Sequence, residues 1–519
     1  MTIQPLRINS KDHGWFGSEP DSRIVRCHSR MKMTIYPHAN DPAFPGRSTE
    51  ARRIVFDEWA GTSASSDFSL RQFSWTKAIG RAAGQWQALI RTDRQNRSLF
   101  NPMNGDILPG DWVEIELLRD GKAIPVCIGS IDTINRDRRS IGGATRTHWK
   151  ITGRDHGKVF EYSISYANIF AQTLAEIVNG LMTKRVKGKI GGSPSEMFKV
   201  LIEAAFTPGT KSGIWRLPPS LASAKGFSSA QASILDILDI ENDHPTIGHY
   251  YNEVQLWNKA GQTLHQALQF WCFPLMHRMI FDVAENGEYV RATIREHPYI
   301  NLDDGVASEW FKLDTWRIPS WLPISDNLAR SENERFNIIQ LLSNVGWEGS
   351  SEEQSVTAQP KYSQDSIERH GLRALNESTH FIGGVSGDMS NFAEFRRTQQ
   401  TRLMEWHAAN PYFLSGQINL PVPIPEARVG HRLTIENGTP SEDINLYIEG
   451  ESLDYQASTN DKEPPVAKSS FIVTRGYRGS DRDGIDLVKR AAGKYSDLLF
   501  TSSEGSSPPN QTPGLIGPM

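Results

Sequence analysis

"SGQINLPVPIPEARVGHRLTIE", Ser415–Glu436, alternates apolar and polar residues, breaks at a proline cluster, turns at Val429-Gly430 and alternates again. Period-two alternation around a glycine turn reads as strand, turn, strand. The pattern echoes an earlier stretch, "LPGDWVEIEL", Leu108–Leu117. Working outward, the first region reads "GQWQALI", "LPGDWVEIEL", "CIGSIDTI" and "HWKITGRD", and the second "GQINLPV", "ARVGHRLTIE", "IEGESLDYQ" and "SFIVTRGY". Gly84 matches Gly416, Gly110 matches Gly430, Gly129 matches Gly450 and Gly153 matches Gly476, the last three pairs being 320, 321 and 323 residues apart. A single shared turn glycine means little, because glycine is common in turns. Four matches in order, with the same apolar phase, point to a duplicated β module whose turn glycines are these eight. Three copies of such a chain around an axis present six similar modules, which suits a sixfold partner.

The chain has 519 residues, enough for roughly three to five domains. Apolar residues make up 38% and the formal net charge is -4, so packed cores are expected and a clustered basic nucleic-acid face is not. Cys27, Cys127 and Cys272 form no CxxC pair, so neither a zinc site nor a disulfide framework is suggested. The first residues carry no secretory h-region, and "LHQALQFWCFPLMHRMIF" is too interrupted to span a bilayer. A soluble protein made in a cytoplasm is expected.

Residues 1–50 read as an extended N-terminal arm. Residues 51–165 alternate as strands, with Asp120-Gly121 and Gly142-Gly143 as turns, and suggest a small antiparallel barrel or sandwich. Residues 166–330 read as an α+β middle domain. "SPSEMFKVLIEAAF" has a helix start, with Ser193 as cap, Pro194 in the first helical position and Glu196 closing a capping box. "QTLHQALQFWCF" reads as another helix, and Asn286-Gly287 as a hairpin turn. Residues 331–490 hold the second β region, with a long helix near 388–409, and 491–519 form a low-complexity tail. The fold class is α+β and multi-domain.

Chemistry is hard to find. Asp303-Asp304 and Glu352-Glu353 sit in polar loops, where solvated surface is the ordinary reading. Asp243, His244 and His249 are close in sequence, but Pro245 and Gly248 break the helix a metal pair would use. Asp481–Asp486 begins like a calcium loop, but Ala492 stands where the closing glutamate belongs. No nucleophile elbow, phosphate loop or dinucleotide fingerprint appears. No catalytic, metal or cofactor residue is therefore assigned. Trp75, Trp86, Trp112 and Trp149 crowd the first β region, where core packing accounts for them.

Four ordered segments carry a resemblance. They are Leu108–Ser163; "GQTLHQALQFWCFPLMHRMIFDV" continuing to "VRATIREHPY"; Tyr362–Ser378; and "RLMEWHAANPYFLSGQINLPVPIPEARVGHRL" continuing to "FIVTRGYRG". The chain resembles the baseplate hub proteins of contractile-tailed phages, the late control protein D-like hubs. Gly430-His431 departs from the Gly-Asp turn usual there. The resemblance implies two tail-tube-like antiparallel β barrels per chain and a homotrimer whose six barrels adapt a sixfold tail tube to a threefold central spike. It implies tape-measure and other baseplate proteins as neighbours, DNA only as cargo in the lumen, no membrane in the resting particle, and a place in the virion tail. Such a hub has no chemical step. Two rivals remain: a cell-wall or polysaccharide-degrading tail enzyme, and a host-binding tail-tip module.

Overall fold

The structure, a computed structural model, describes residues 7–9, 14–16, 29–38, 44, 53–57, 68–92, 102, 105–119, 122–141, 144–162, 202, 206, 215–227, 232–243, 263–271, 277–297, 313–332, 335–345, 354–357, 360–379, 399–407, 410–457, 465–479 and 495–497. It is mostly antiparallel β structure with few, short helices.

Two short strands, β1 (Arg7–Asn9) and β2 (Gly14–Phe16), come first. β3 (Ser29–Tyr36) and β4 (Ile54–Asp57) follow. Then come β5 (Phe68–Ala78), β6 (Gln85–Thr92), β7 (Trp112–Arg119), β8 (Lys122–Ile141) and β9 (Ala144–Asp155), with helix α1 (Lys158–Tyr162) after them. β3 lies inside the stretch expected to be an extended arm. It pairs along its length with β7, and its alternate residues Met31, Met33 and Ile35 are fully buried. Burial of one face supplies the stabilisation that fixes it there, at about 1.5–3 kcal/mol per large apolar side chain.

The middle region contains α2 (Pro219–Ala224), α3 (Ile234–Ile237), β10 (Leu238–Asp243), α4 (Leu264–Trp271), β11 (His277–Val283) and β12 (Val290–Glu296). Thr263 and Gln266 cap α4 reciprocally, backbone N–H to side-chain oxygen, at 3.0 and 3.1 Å. β11 and β12 form a hairpin turning through Gly287, whose φ of 70° explains the glycine. Of the helix expected over Ser193–Phe206, only Ile202 and Phe206 lie within the described residues, and both are buried.

β13 (Thr315–Pro319) and β14 (Ser325–Ala329) follow, then a five-stranded sheet of β15 (Ile338–Val345), β16 (Gln354–Thr357), β17 (Lys361–Ser363), β18 (Ala374–Thr379) and, from far along the chain, β23 (Tyr495–Asp497). Helix α5 (Gln364–His370) connects β17 to β18. Residues 399–407, the described part of the expected long helix, are helical. β19 (Leu414–Leu420), β20 (Arg432–Glu436), β21 (Ile444–Gln456) and β22 (Val466–Arg478) complete the set.

Domain boundaries differ from expectation. β13 and β14, placed by sequence in the middle domain, belong to the sheet of the second module. β15–β18 form a sheet of their own, and β23 joins it from the expected tail. Nor, among the described residues, do two separate closed barrels appear. One 15-stranded sheet runs as an open hydrogen-bonded path from β1 to β4, carrying both modules.

Candidate functional site: paired turns and the seam between modules

Within that sheet the first module runs β5-β6-β9-β8-β7-β3, and the second runs β14-β19-β22-β21-β20-β13. The order is the same, strand for strand. One difference is that β3 is antiparallel to β7 whereas β13 is parallel to β20. The turns before β7 and β20 share a hydrogen-bond pattern. Gly110 N–H donates to Ile131 O (2.8 Å) and Ile131 N–H to Asp111 O (2.9 Å); Gly430 N–H donates to Ile448 O (2.9 Å) and Ile448 N–H to His431 O (3.0 Å). The two glycines have φ of 96° and 89°, a left-handed conformation that penalises any Cβ. A bulge follows at the same place in each long strand, at Ile131/Thr133 and at Ile448/Gly450.

The other six glycines occupy different places. Gly84 lies between β5 and β6, while Gly416 lies within β19. Gly129 stands two residues before Ile131, and Gly450 two after Ile448. Gly153 pairs with Ile131, but Val473, not Gly476, pairs with Ile448. Five of them, Gly129, Gly153, Gly416, Gly450 and Gly476, are strand residues rather than turn residues. Crowding accounts for all but Gly450: a Cβ at Gly129 would sit 2.0 Å from Arg154 O, and one at Gly416 1.7 Å from Asn327 O.

The Gly-Asp and Gly-His turns do the same work with different atoms. Asp111 accepts from Leu108 N–H at 2.7 Å and from His38 N–H at 2.9 Å. His431 Nδ1 accepts from Arg428 N–H at 3.4 Å, also three residues back, and from the Trp316 indole at 3.1 Å. Nδ1 is thus the acceptor of this turn, while Nε2 faces Asp314 at 3.7 Å.

β21 is where the modules meet. Its first half pairs with β20; its second half, Gly450–Gln456, pairs antiparallel with β5, Gly450 opposite Ala78 and Gln456 opposite Gln72. Ile79 N–H to Glu449 O (2.7 Å) and Ala457 N–H to Arg71 O (2.8 Å) extend the ladder at both ends. Leu453 and Tyr455 of β21 sink into the core of the first module, beside Phe73, Trp75 and Trp86. Polar contacts pin the seam. Glu451 accepts from the Trp75 indole and from Val429 N–H, each at 3.0 Å. Burial pushes the Glu451 carboxyl above the usual carboxylate range, with Arg428, Trp75, Lys77 and Val429 pulling part of that back. Beside the seam but within the first module, Lys77 of β5 meets Asp155 of β9 at 2.5 Å, with both side chains at most 5% exposed. Arg428 donates to Pro125 O at 2.7 Å, and Arg119 reaches across to Pro423 O (3.1 Å) and Glu426.

A cavity of about 170 Å³ opens beside the first turn, lined by residues including Gly110, Ser130, Asp155, His156 and Trp215. Lys158 Nζ stands 2.9 Å from Ser130 Oγ, a spacing that invites comparison with a serine–lysine nucleophile. Lys158 also donates to Asp132 at 2.7 Å. Burial raises the Asp132 carboxyl, but bonds and charges from Arg154 and Lys158 outweigh it and hold it below the usual range. An ammonium that donates to a carboxylate and a hydroxyl at once offers Ser130 no lone pair, so the group is an anchor. Among the described residues no cluster of three His, Cys, Asp or Glu could hold a metal, and no helix is long and apolar enough to cross a membrane. The carboxylate pairs at 303–304 and 352–353, His244, His249 and the 481–486 turn lie outside the described residues.

No protein-family model and no curated protein matches the chain. Among solved structures it is similar to the tail protein from Neisseria meningitidis MC58, covering 89% of this chain and 99% of that one at 11% identity and a TM-score of 0.45. It is also similar to the 43 kDa tail protein of prophage MuSo2 from Shewanella oneidensis (87% and 99% covered, 10% identity, TM-score 0.43). A third is prophage tail protein gp18 from Listeria monocytogenes EGD-e (84% and 94% covered, 8% identity, TM-score 0.35).

Proposed function

We propose that this chain is the structural hub of a phage tail baseplate. Three copies form a ring of six similar β modules, which joins a sixfold tail tube to a threefold central spike, with the tape-measure protein and other baseplate proteins nearby. The observation that carries this reading is the repeated strand order held in one continuous sheet. A chain with two like modules, side by side and rigidly joined, is what a threefold assembly needs in order to offer a sixfold face. The four ordered sequence segments support the same reading. Each module would act as a tube-like barrel, the work would be mechanical, and DNA would pass only as cargo. Native mass spectrometry of the full chain with its tube and spike proteins should give a trimer or a trimer-based complex. A monomer that ignores both partners would sink the proposal.

A further inference from the structure

The seam inside the chain has an unused counterpart on each side, and we propose that neighbouring copies join by repeating it: the second half of β8 in one copy pairs antiparallel with β14 of the next. This rests on the hub reading above and names its joint. Equivalence of strands fixes the edges. β21 corresponds to β8, and β5 corresponds to β14. Within the chain β21 and β5 satisfy each other. β8 pairs with β7 as far as Ser130, and Ile131 bonds the turn before β7; beyond it, among the described residues, no second strand runs along that edge of β8. Among the described residues β14 pairs with β19 alone. Open strand edges present unpaired N–H and C=O groups to a matching edge.

The bulges set the register. Ile448 and Ile131 hold the same place, so Gly450–Gln456 correspond to Thr133–Arg139. Leu328 faces Gly416 and Gly416 faces Val473, as Trp75 faces Trp86 and Trp86 faces Gly153; Gln72–Thr76 thus correspond to Ser325–Ala329. Transferring the seam sets Arg136 opposite Leu328, Asp137 opposite Asn327 and Arg138 opposite Asp326 of the next copy. Where the internal seam puts Tyr455 opposite Phe73, an apolar pair in a core, the joint between copies puts a cation opposite an anion. That substitution suits a contact that must form between folded, soluble chains. Asp326 is exposed along with most of β14. Trp321 and Ile324, in the turn leading into it, are 43% and 67% exposed, apolar surface that a neighbouring copy would cover.

Cysteine pairing tests the register in the full chain. Residues directly opposite in an antiparallel pair stand about 4.5–5.5 Å apart at Cα, within disulfide reach. D137C/N327C should give covalently linked chains, closing at three, on oxidation in the presence of tube and spike proteins. D137C/S325C, two residues out of register, should not. Asp326→Arg should weaken association about two- to five-fold per joint, and R138D/D326R should restore it. A native trimer with no selective cross-link and no charge rescue overturns this joint while leaving the hub reading standing. A chain that stays monomeric with its partners overturns both.

Discussion

Lys77→Met tests the buried ion pair that braces the first module beside the internal seam. Lys77 lies on β5 opposite Glu451 and pairs with Asp155, with side-chain exposures of 5% and 2% at 2.5 Å. Removing the ammonium leaves Asp155 with the Gly157 N–H at 2.9 Å and no countercharge. Breaking a buried pair from one side costs about 3–5 kcal/mol, because the desolvated charge stays behind. A loss of about 4 kcal/mol lowers the folding equilibrium roughly a thousandfold and moves a urea midpoint down by roughly 1–2 M. Tryptophan fluorescence suits the assay, since the Lys77 ammonium sits 5.8 Å from the Trp75 ring. K77M/D155N removes the stranded charge and keeps an oxygen for Gly157, so it should recover all but about 1 kcal/mol. If K77M unfolds within 1 kcal/mol of the parent, or the double variant is no better than the single, the pair is not the buried, mutually dependent unit described.

Three further outcomes are expected. His431→Ala strands the Arg428 N–H and the Trp316 indole and should cost about 1–3 kcal/mol by urea denaturation, and H431D, which restores an acceptor three residues on, should recover part of it. Gly129→Ala pushes a methyl into Arg154 O and should cost more than Gly110→Ala, where a Cβ meets nothing within 4 Å and only the positive φ is penalised; paired thermal melts would show an inversion if strand crowding were overstated. Because burial raises the Glu451 carboxyl in the folded state, its contribution to stability is fully present below the ordinary carboxylate pKa and is lost as pH rises through the raised value. Glu451→Gln should flatten that slope, and a stability profile from about pH 4 to 7 identical to the parent's would count against it.

β9 is readable because it has one buried face and alternates as the core demands, whereas β7 over Trp112–Ile115 and β8 over Pro125–Ile131 are buried on both faces and are marked by their apolar runs and flanking turn glycines. Gly110 and Gly430 are readable because a left-handed turn admits little else. The remaining glycine pairs slipped for a physical reason. Register depends on bulges and on the connection length, which is far shorter between β7 and β8 than between β20 and β21, and neither is written in a local pattern. β3 carried a signal in the spacing of Met31, Met33 and Ile35, masked by its proline- and histidine-rich surroundings. β14, "SDNLA", carried none, since an exposed edge strand needs no alternation. The seam was beyond reach altogether: Trp75 and Glu451 are 376 positions apart.

β21 spends half its length in each module, and that has a mechanical meaning. A pull along this strand loads its seven seam pairs with β5 in shear, all together, instead of opening them one at a time like a zipper. Its side chains are mortared into the first module's core while its other half is laced to β20 and β22. The two modules are therefore built to move as a single stiff segment, and any flexing of an assembled ring would concentrate at the polar joints between chains.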